Sequence, residues 1–345
     1  VAFRRRDRHQ FATSLEQCNI TNQKQSGRCG IVAALNTMRF AVMKKLDLDT
    51  FELSQNYTLF YDKLEKANYF LESILETLDE PTEGRLIAHL LSAPLNDGGQ
   101  WDMLCNLVDK YGLVPKTAMP ETAVSSATQE MNGYMTEKLR EFACQLRKAH
   151  KEGASMEQLR AKKDEMMATV YNMLCICIGK PPKTFDFEWR DKDGNFYRDC
   201  GLTPKQFYDN NIDPKVDDYI SLINAPTADK PYNHSYSVKY LGNVKEGRPV
   251  KYVNLPIEEL KKAAIAQMQA GEPVRFGCDV GQRGSRGRGI LDLGIYNRAR
   301  LFGTHFGMNK AERMGGQYHP YLPDPLADYE LHSSPSCATA VAAAQ

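Results

Sequence analysis

No apolar run in the 345 residues approaches the roughly 20 needed for a helix to cross a bilayer, so no membrane-spanning helix is expected. Charge of one sign is lacking too: 44 basic residues face 43 acidic ones. The formal net charge of +1 supplies no general attraction to nucleic acid or to an anionic membrane. Among nine cysteines there is no Cys-x-x-Cys pair with a matching second pair, which argues against a structural zinc site. Their odd count and irregular spacing argue against a complete disulfide framework. Cys175-Ile176-Cys177, the closest pair, lies in a hydrophobic run and is expected in the core. No metal or other cofactor is expected, and free thiols point to a reducing, cytoplasmic setting. The opening VAFRRRDRHQFATS is basic but has no apolar segment, and the chain does not begin with Met. It is expected to be the interior of a longer protein rather than a targeting peptide. This length allows a large core, in one elaborated domain or two.

What is present begins with Asn22-Gln23-Lys24-Gln25-Ser26-Gly27-Arg28-Cys29. Downstream, Ile31, Leu35, Met38, Val42 and Leu46 recur every three or four residues, so a helix with one buried face is predicted from Cys29 onward. Cys29 then sits in the first turn, where unpaired backbone N–H groups and the positive end of the helix dipole favour a thiolate. Gly27 is expected to let the backbone turn tightly into the helix. Attack on an amide also needs donors aimed at the tetrahedral oxyanion; the Gln23 side-chain amide and the Cys29 backbone N–H are the candidates. The alternative is a cysteine buried as a small hydrophobe at the start of a core helix. The glutamine six residues upstream favours the nucleophile.

The string TNQKQSGRCGIVAALNTMR resembles the nucleophile region of the bleomycin hydrolases, the aminopeptidase branch of the papain-like cysteine peptidases. Further matches follow in order: ELSQNY at Glu52 to Tyr57, NDGGQWDML at Asn96 to Leu104, CICIGKPPKTFDFEWRDKD, and PVRFGCDVG at Pro273 to Gly281. The resemblance runs from about Ile20 to Met314. It implies an α+β, papain-like cysteine peptidase fold with a helical insertion, and an enzyme that removes N-terminal residues from peptides and hydrolyses the carboxamide of bleomycin. Cys29 is implied as nucleophile and Gln23 as oxyanion donor. Gly98 and Gly99 are implied as the edge where substrate backbone pairs, since a residue without Cβ lets a peptide approach closely.

Three departures qualify the resemblance. Gly30 stands where the family usually has Trp, which lowers helix propensity by about 1 kcal/mol relative to alanine and removes an aromatic wall beside the thiol. The family's Thr-His-Ala-Met segment, shortly after Lys-Ala-Glu-Arg, and its later Asn-Ser-Trp-Gly segment do not occur. These carry the base and the residue that orients it, so the chain as it stands is expected to be catalytically incomplete. After Met314 come Pro320, Pro323, Pro325 and Pro335 and a terminal small-residue run, with no alternation expected to continue a sheet. Residues 1–314 are accordingly expected to form the peptidase domain and 315–345 an atypical tail, left by truncation, mis-splicing or a frame change. His319, in a Tyr-His-Pro setting, is a weak substitute base, and His305 precedes Lys-Ala-Glu-Arg where the family's histidine follows it. His9, His89, His150, His234 and His332 carry no distinguishing feature.

A helix is predicted from near Ser54, its cap, and another from Trp101 to Tyr111 after the turn at Asn96 to Gly99. Residues 123–179 should form two or three helices, resembling the insertion with which bleomycin hydrolases assemble a homo-hexamer. Asp193-Gly194 signals a hairpin, and strands are predicted on either side of Glu246-Gly247. A helix should run from Pro256 to Gly271, followed by a buried strand containing Phe276. Expected partners are peptide substrates, with no membrane. The Arg283, Arg286 and Arg288 tract is expected to be a surface loop with at most weak, salt-sensitive nucleic-acid affinity.

Overall fold

The computed structural model describes residues 12–15, 19, 21–277, 284–285, 290–291 and 338–343. It divides into two compact units: Gln17–Asp217 with Tyr240–Val250, and Asp218–Lys239 with Lys251–Gln345 and Val1–Glu16.

The first unit is mainly helical. Its helices are α1 (Cys29–Leu46), α2 (Gln55–Glu76), α3 (Arg85–Ser92), α4 (Trp101–Tyr111), α5 (Gln129–Lys151) and α6 (Met156–Ile178). The predicted face of α1 is the buried one, with Leu35 at 1% and Val42 at 0% exposure. Side chains of that size contribute roughly 1.5–3 kcal/mol each when fully buried. Ser54 caps α2, its Oγ accepting the Tyr57 N–H at 3.0 Å. Ser155 and Gln158 form a reciprocal capping box on α6. The region expected to hold two or three helices therefore holds two, α5 and α6, and both pack on α2 around Phe60, Leu71, Ile74, Leu139, Leu146 and Leu174. The Cys175-Ile176-Cys177 run, expected in the core, is only partly so: Cys175 and Cys177 lie partly buried against it, while Ile176 is 77% exposed because it falls on the outer face of α6.

Helix α2 is surrounded, so Asp62, Lys63, Glu65 and Lys66 are buried with its apolar residues. Buried charges persist only when paired, and these four are. A hairpin of β1 (Phe185–Arg190) and β2 (Phe196–Leu202) turns at Asp193-Gly194 as expected, and α7 (Pro204–Asn211) follows. Gly112 has a left-handed φ of 69°, and a Cβ there would lie 2.3 Å from the Pro204 backbone, so no other residue fits.

The second unit contains a five-stranded sheet in the order β4 (His234–Ser237), β5 (Lys251–Asn254), β3 (Tyr219–Asn224), β9 (Ala338–Ala343) and β6 (Arg275–Gly277). A strand pair does form around Glu246-Gly247, His234 opposite Asn254 and Ser237 opposite Lys251, but β4 ends at Ser237, so the residues directly before Glu246 are not the expected strand. Their connection is not a tight turn, because residues 240–250 belong to the helical unit. There a Cβ on Gly247 would lie 2.5 Å from Asn106 Cγ. Helix α8 (Ile257–Gln269) starts after Pro256 and is followed by Gly271 at φ 85°; its Leu260 packs with Leu222.

Three expectations are corrected. The terminal alanine-rich run does form a strand: Ala338–Ala343 pairs with both β3 and β6. Backbone hydrogen bonding on two sides builds a strand without the side-chain alternation used to read one. Phe276 is 61% exposed rather than buried, since β6 is a three-residue edge strand. Within the Arg/Gly tract, Gly284–Ser285 (β7) pairs with Ile290–Leu291 (β8) instead of looping, while Arg283, Arg286 and Arg288 lie outside the described residues.

Candidate active site

The turn before α1 is built from its own polar residues. Lys24 adopts a left-handed φ of 55°, and its N–H donates to Asn22 Oδ1 at 2.8 Å. Ser26 closes the turn, its Oγ donating to the Gln23 carbonyl at 2.6 Å. Arg28, only 2% exposed, reaches inward; its guanidinium donates to Ser26 Oγ at 2.9 Å and forks onto Glu121 at 3.1 and 2.8 Å. A bidentate pair of this kind fixes orientation as well as position. Gln25 N–H adds a bond to the Ser126 carbonyl at 2.9 Å.

Cys29 opens α1 and is exposed, a free thiol rather than a buried hydrophobe. The first intrahelical bond is Val32 N–H to the Arg28 carbonyl at 2.9 Å, which leaves the amides of 29–31 without intrahelical acceptors. Gln23 is half-buried; its Oε1 is fully enclosed with no hydrogen-bond partner among the described residues. Gly27 does not serve the turn by a positive φ. It permits close approach: its N–H donates to Asp97 Oδ2 at 2.8 Å, and a Cβ there would lie 2.9 Å from Asp97 Cβ.

Asp97 is the centre that sequence reasoning missed. Besides Gly27, it accepts from Lys63 Nζ at 2.5 Å, from Asn132 Nδ2 at 2.7 Å, and from Thr128 Oγ1. Burial works to raise its pKa, but the Lys63 charge and these hydrogen bonds prevail and hold the carboxyl well below the usual range. Burial, helped by neighbouring Lys66, pulls the Lys63 ammonium down to about 8 against the pull of Asp97. The one sequence signal is two lysines three apart in an otherwise core-forming helix. Arg28 and Glu121 were missed for a similar reason, since 93 residues separate them.

The Asn96 to Gly99 turn rests on the same lysines. Lys63 and Lys66 donate to the Asn96 carbonyl at 2.7 and 3.0 Å, and Lys66 to the Gly98 carbonyl at 2.6 Å. Gly98 is exposed, and a Cβ on it would meet nothing within 4 Å; Gly99 would touch only Met103, at 3.8 Å. Folding therefore does not demand glycine at either position.

Three of the seven histidines lie among the described residues. His150 engages Asp79 at 3.0 Å, His89 lies in α3, and His234 is exposed in β4. His9, His305, His319 and His332 lie outside the described residues. Among the described residues no group of acidic, histidine and cysteine side chains could hold a metal ion, and no helix is long and apolar enough to cross a membrane.

A free, exposed thiol thus opens a buried helix in a mixed helix-and-sheet molecule. A model of the Peptidase C1-like family matches residues 2–319. The aminopeptidase C of Listeria innocua is 50% identical over 304 residues, 88% of this chain and 68% of that protein. Human bleomycin hydrolase is 44% identical over 310 residues, again 88% and 68%. The crystal structure of PepW from Lactobacillus rhamnosis superposes with a TM-score of 0.87 at 50% identity, covering 89% of this chain and 69% of that one. The chain belongs to the Peptidase C1-like family, and its relatives make it a cysteine aminopeptidase of the bleomycin hydrolase type.

Proposed function

We propose that Cys29 is the nucleophile that cleaves N-terminal residues from peptides, and the carboxamide of bleomycin, with Gln23 holding the oxyanion. Sγ attacks the carbonyl carbon, and the amine leaves with a proton as a thioester forms. Water then releases the carboxylic acid and regenerates the thiol. The observation that carries this reading is Cys29 at the unpaired first turn of α1, exposed and preceded by the braced Gln23 turn. With Oε1 enclosed, Nε2 of Gln23 is the end of the amide left to donate, as an oxyanion site requires. Peptide backbone lies along Gly98 and Gly99; the Gly98 carbonyl is taken by Lys66, so Gly99 is the freer partner.

The alternative is a silent scaffold, favoured by the absence of Thr-His-Ala-Met and Asn-Ser-Trp-Gly from the 345 residues. In both readings α5 and α6 form the insertion at about 123–179 that supports a homo-hexamer, residues 1–314 form the peptidase part, and the free thiols fit the cytoplasm.

Covalent capture tests the reading. A peptidyl chloromethyl ketone with a free amino end should modify Cys29, and Cys29→Ala should abolish the adduct. Gly98→Ala should slow capture about tenfold, or about 1.4 kcal/mol, with the melting temperature unchanged because the added Cβ meets nothing. Capture at other cysteines with Cys29 untouched contradicts the assignment.

A further inference from the structure

We infer that Asp97 is a positioning residue for the reaction, one carboxylate that sets the nucleophile turn against the peptide-binding edge. The inference rests on the reading of Cys29 as nucleophile and of Gly98–Gly99 as substrate edge. Asp97 immediately precedes that edge, and its Oδ2 takes the N–H of Gly27, two residues before the thiol, at 2.8 Å. The two segments are 70 residues apart in sequence. Both are anchored from beneath by α2: Lys63 holds the other carboxylate oxygen and the Asn96 carbonyl, and Lys66 holds the Gly98 carbonyl. Helix α5 adds Asn132, and Thr128 at its start donates to Oδ2. Every acceptor site on Asp97 is thus directed, and the Gly27 Cβ that would prise the contact apart is missing.

A carboxylate so enclosed does not touch substrate. Its effect is on geometry, since a peptide bound along Gly98–Gly99 presents its carbonyl to Cys29 only while the two segments keep their spacing. Displacement of about 1 Å costs on the order of a hundredfold in rate when reacting groups must meet in a fixed geometry. A small electrophile that binds nowhere is indifferent to that spacing.

The test is the ratio of two second-order rate constants at Cys29 in the full chain: a peptidyl chloromethyl ketone against iodoacetamide, each followed by mass spectrometry. Wild type should prefer the peptidyl probe. In Asp97→Asn the ratio should fall about 10- to 100-fold, with the change in the peptidyl rate. Gly27→Ala, which keeps every charge and pushes the turn off Asp97, should give the same loss, and it decides the matter if Asp97→Asn does not fold. Thr128→Ala, which removes an Asp97 partner without touching the turn, should change the ratio far less. A wild-type ratio near one contradicts the active-site reading itself. A large wild-type ratio retained in folded Asp97→Asn or Gly27→Ala overturns the positioning role alone.

Discussion

The 345-residue chain is expected to hydrolyse aminoacyl fluorogenic amides with a kcat/KM about 10²–10⁴ below that of the Listeria innocua aminopeptidase C, the range that a positioned base contributes. On the proposed reading the nucleophile half of the machinery is assembled: Cys29 is exposed at its helix start, and its turn is braced by Ser26, Arg28 and Asp97. Absent from the 345 residues are Thr-His-Ala-Met and Asn-Ser-Trp-Gly, the segments that the family resemblance makes the carriers of the base and of the residue that orients it. Appending the corresponding segment of a relative after Met314 should restore turnover, and Cys29→Ala should remove it again. An unmodified chain matching the relative would mean that a substitute base operates, and His319→Ala would then locate it.

A second large effect is expected on stability. Lys63 is 0% and Asp97 8% exposed, so Lys63→Met strands a carboxylate among Thr128, Asn132 and the Gly27 amide. Breaking one partner of a buried pair costs about 3–5 kcal/mol. Urea denaturation at pH 7 measures this directly, and a loss below about 1 kcal/mol would place the pair in the class of exposed ion pairs. The sign of the pH dependence follows from Asp97. Its folded-state pKa lies below the unfolded value of about 3.9, so its stabilisation is present above that value and lost as pH falls toward the folded one. The stability gap between wild type and Asp97→Asn should therefore narrow in acid.

The helix that Cys29 opens was legible in sequence because its signal is local. A period of three to four residues marks the buried face of α1, and the Gln23 to Cys29 spacing lies within one turn and its approach. The hairpin at Asp193-Gly194, the Ser54 cap and the bounds of α4 were legible for the same reason. What escaped is carried by long-range polar contacts, which leave no period. Asp97 sits in an ordinary turn sequence, and Lys63 and Lys66 look like a solvated helix face. It is the Asn96 to Gly98 turn, 30 or more residues away in sequence, that takes those lysines up. Gly27 was assigned to the right place for the wrong reason, since backbone freedom and close approach select the same residue. The strand at Ala338–Ala343 was missed because hydrogen bonding along both its edges, rather than any side-chain pattern, places it in the sheet.

The most direct measurement is the rate of iodoacetamide labelling at each of the nine cysteines at pH 6, read by mass spectrometry. At that pH an ordinary thiol, with a pKa of about 8.5, is almost wholly protonated and reacts slowly. Cys144 and Cys200 are free and exposed like Cys29, yet neither opens a helix, so they serve as internal references. The expected result is Cys29 labelled at least about tenfold faster than either, as the nucleophile reading of an exposed thiol at the first turn of α1 requires. Equal rates at Cys29, Cys144 and Cys200 would contradict its role as the nucleophile.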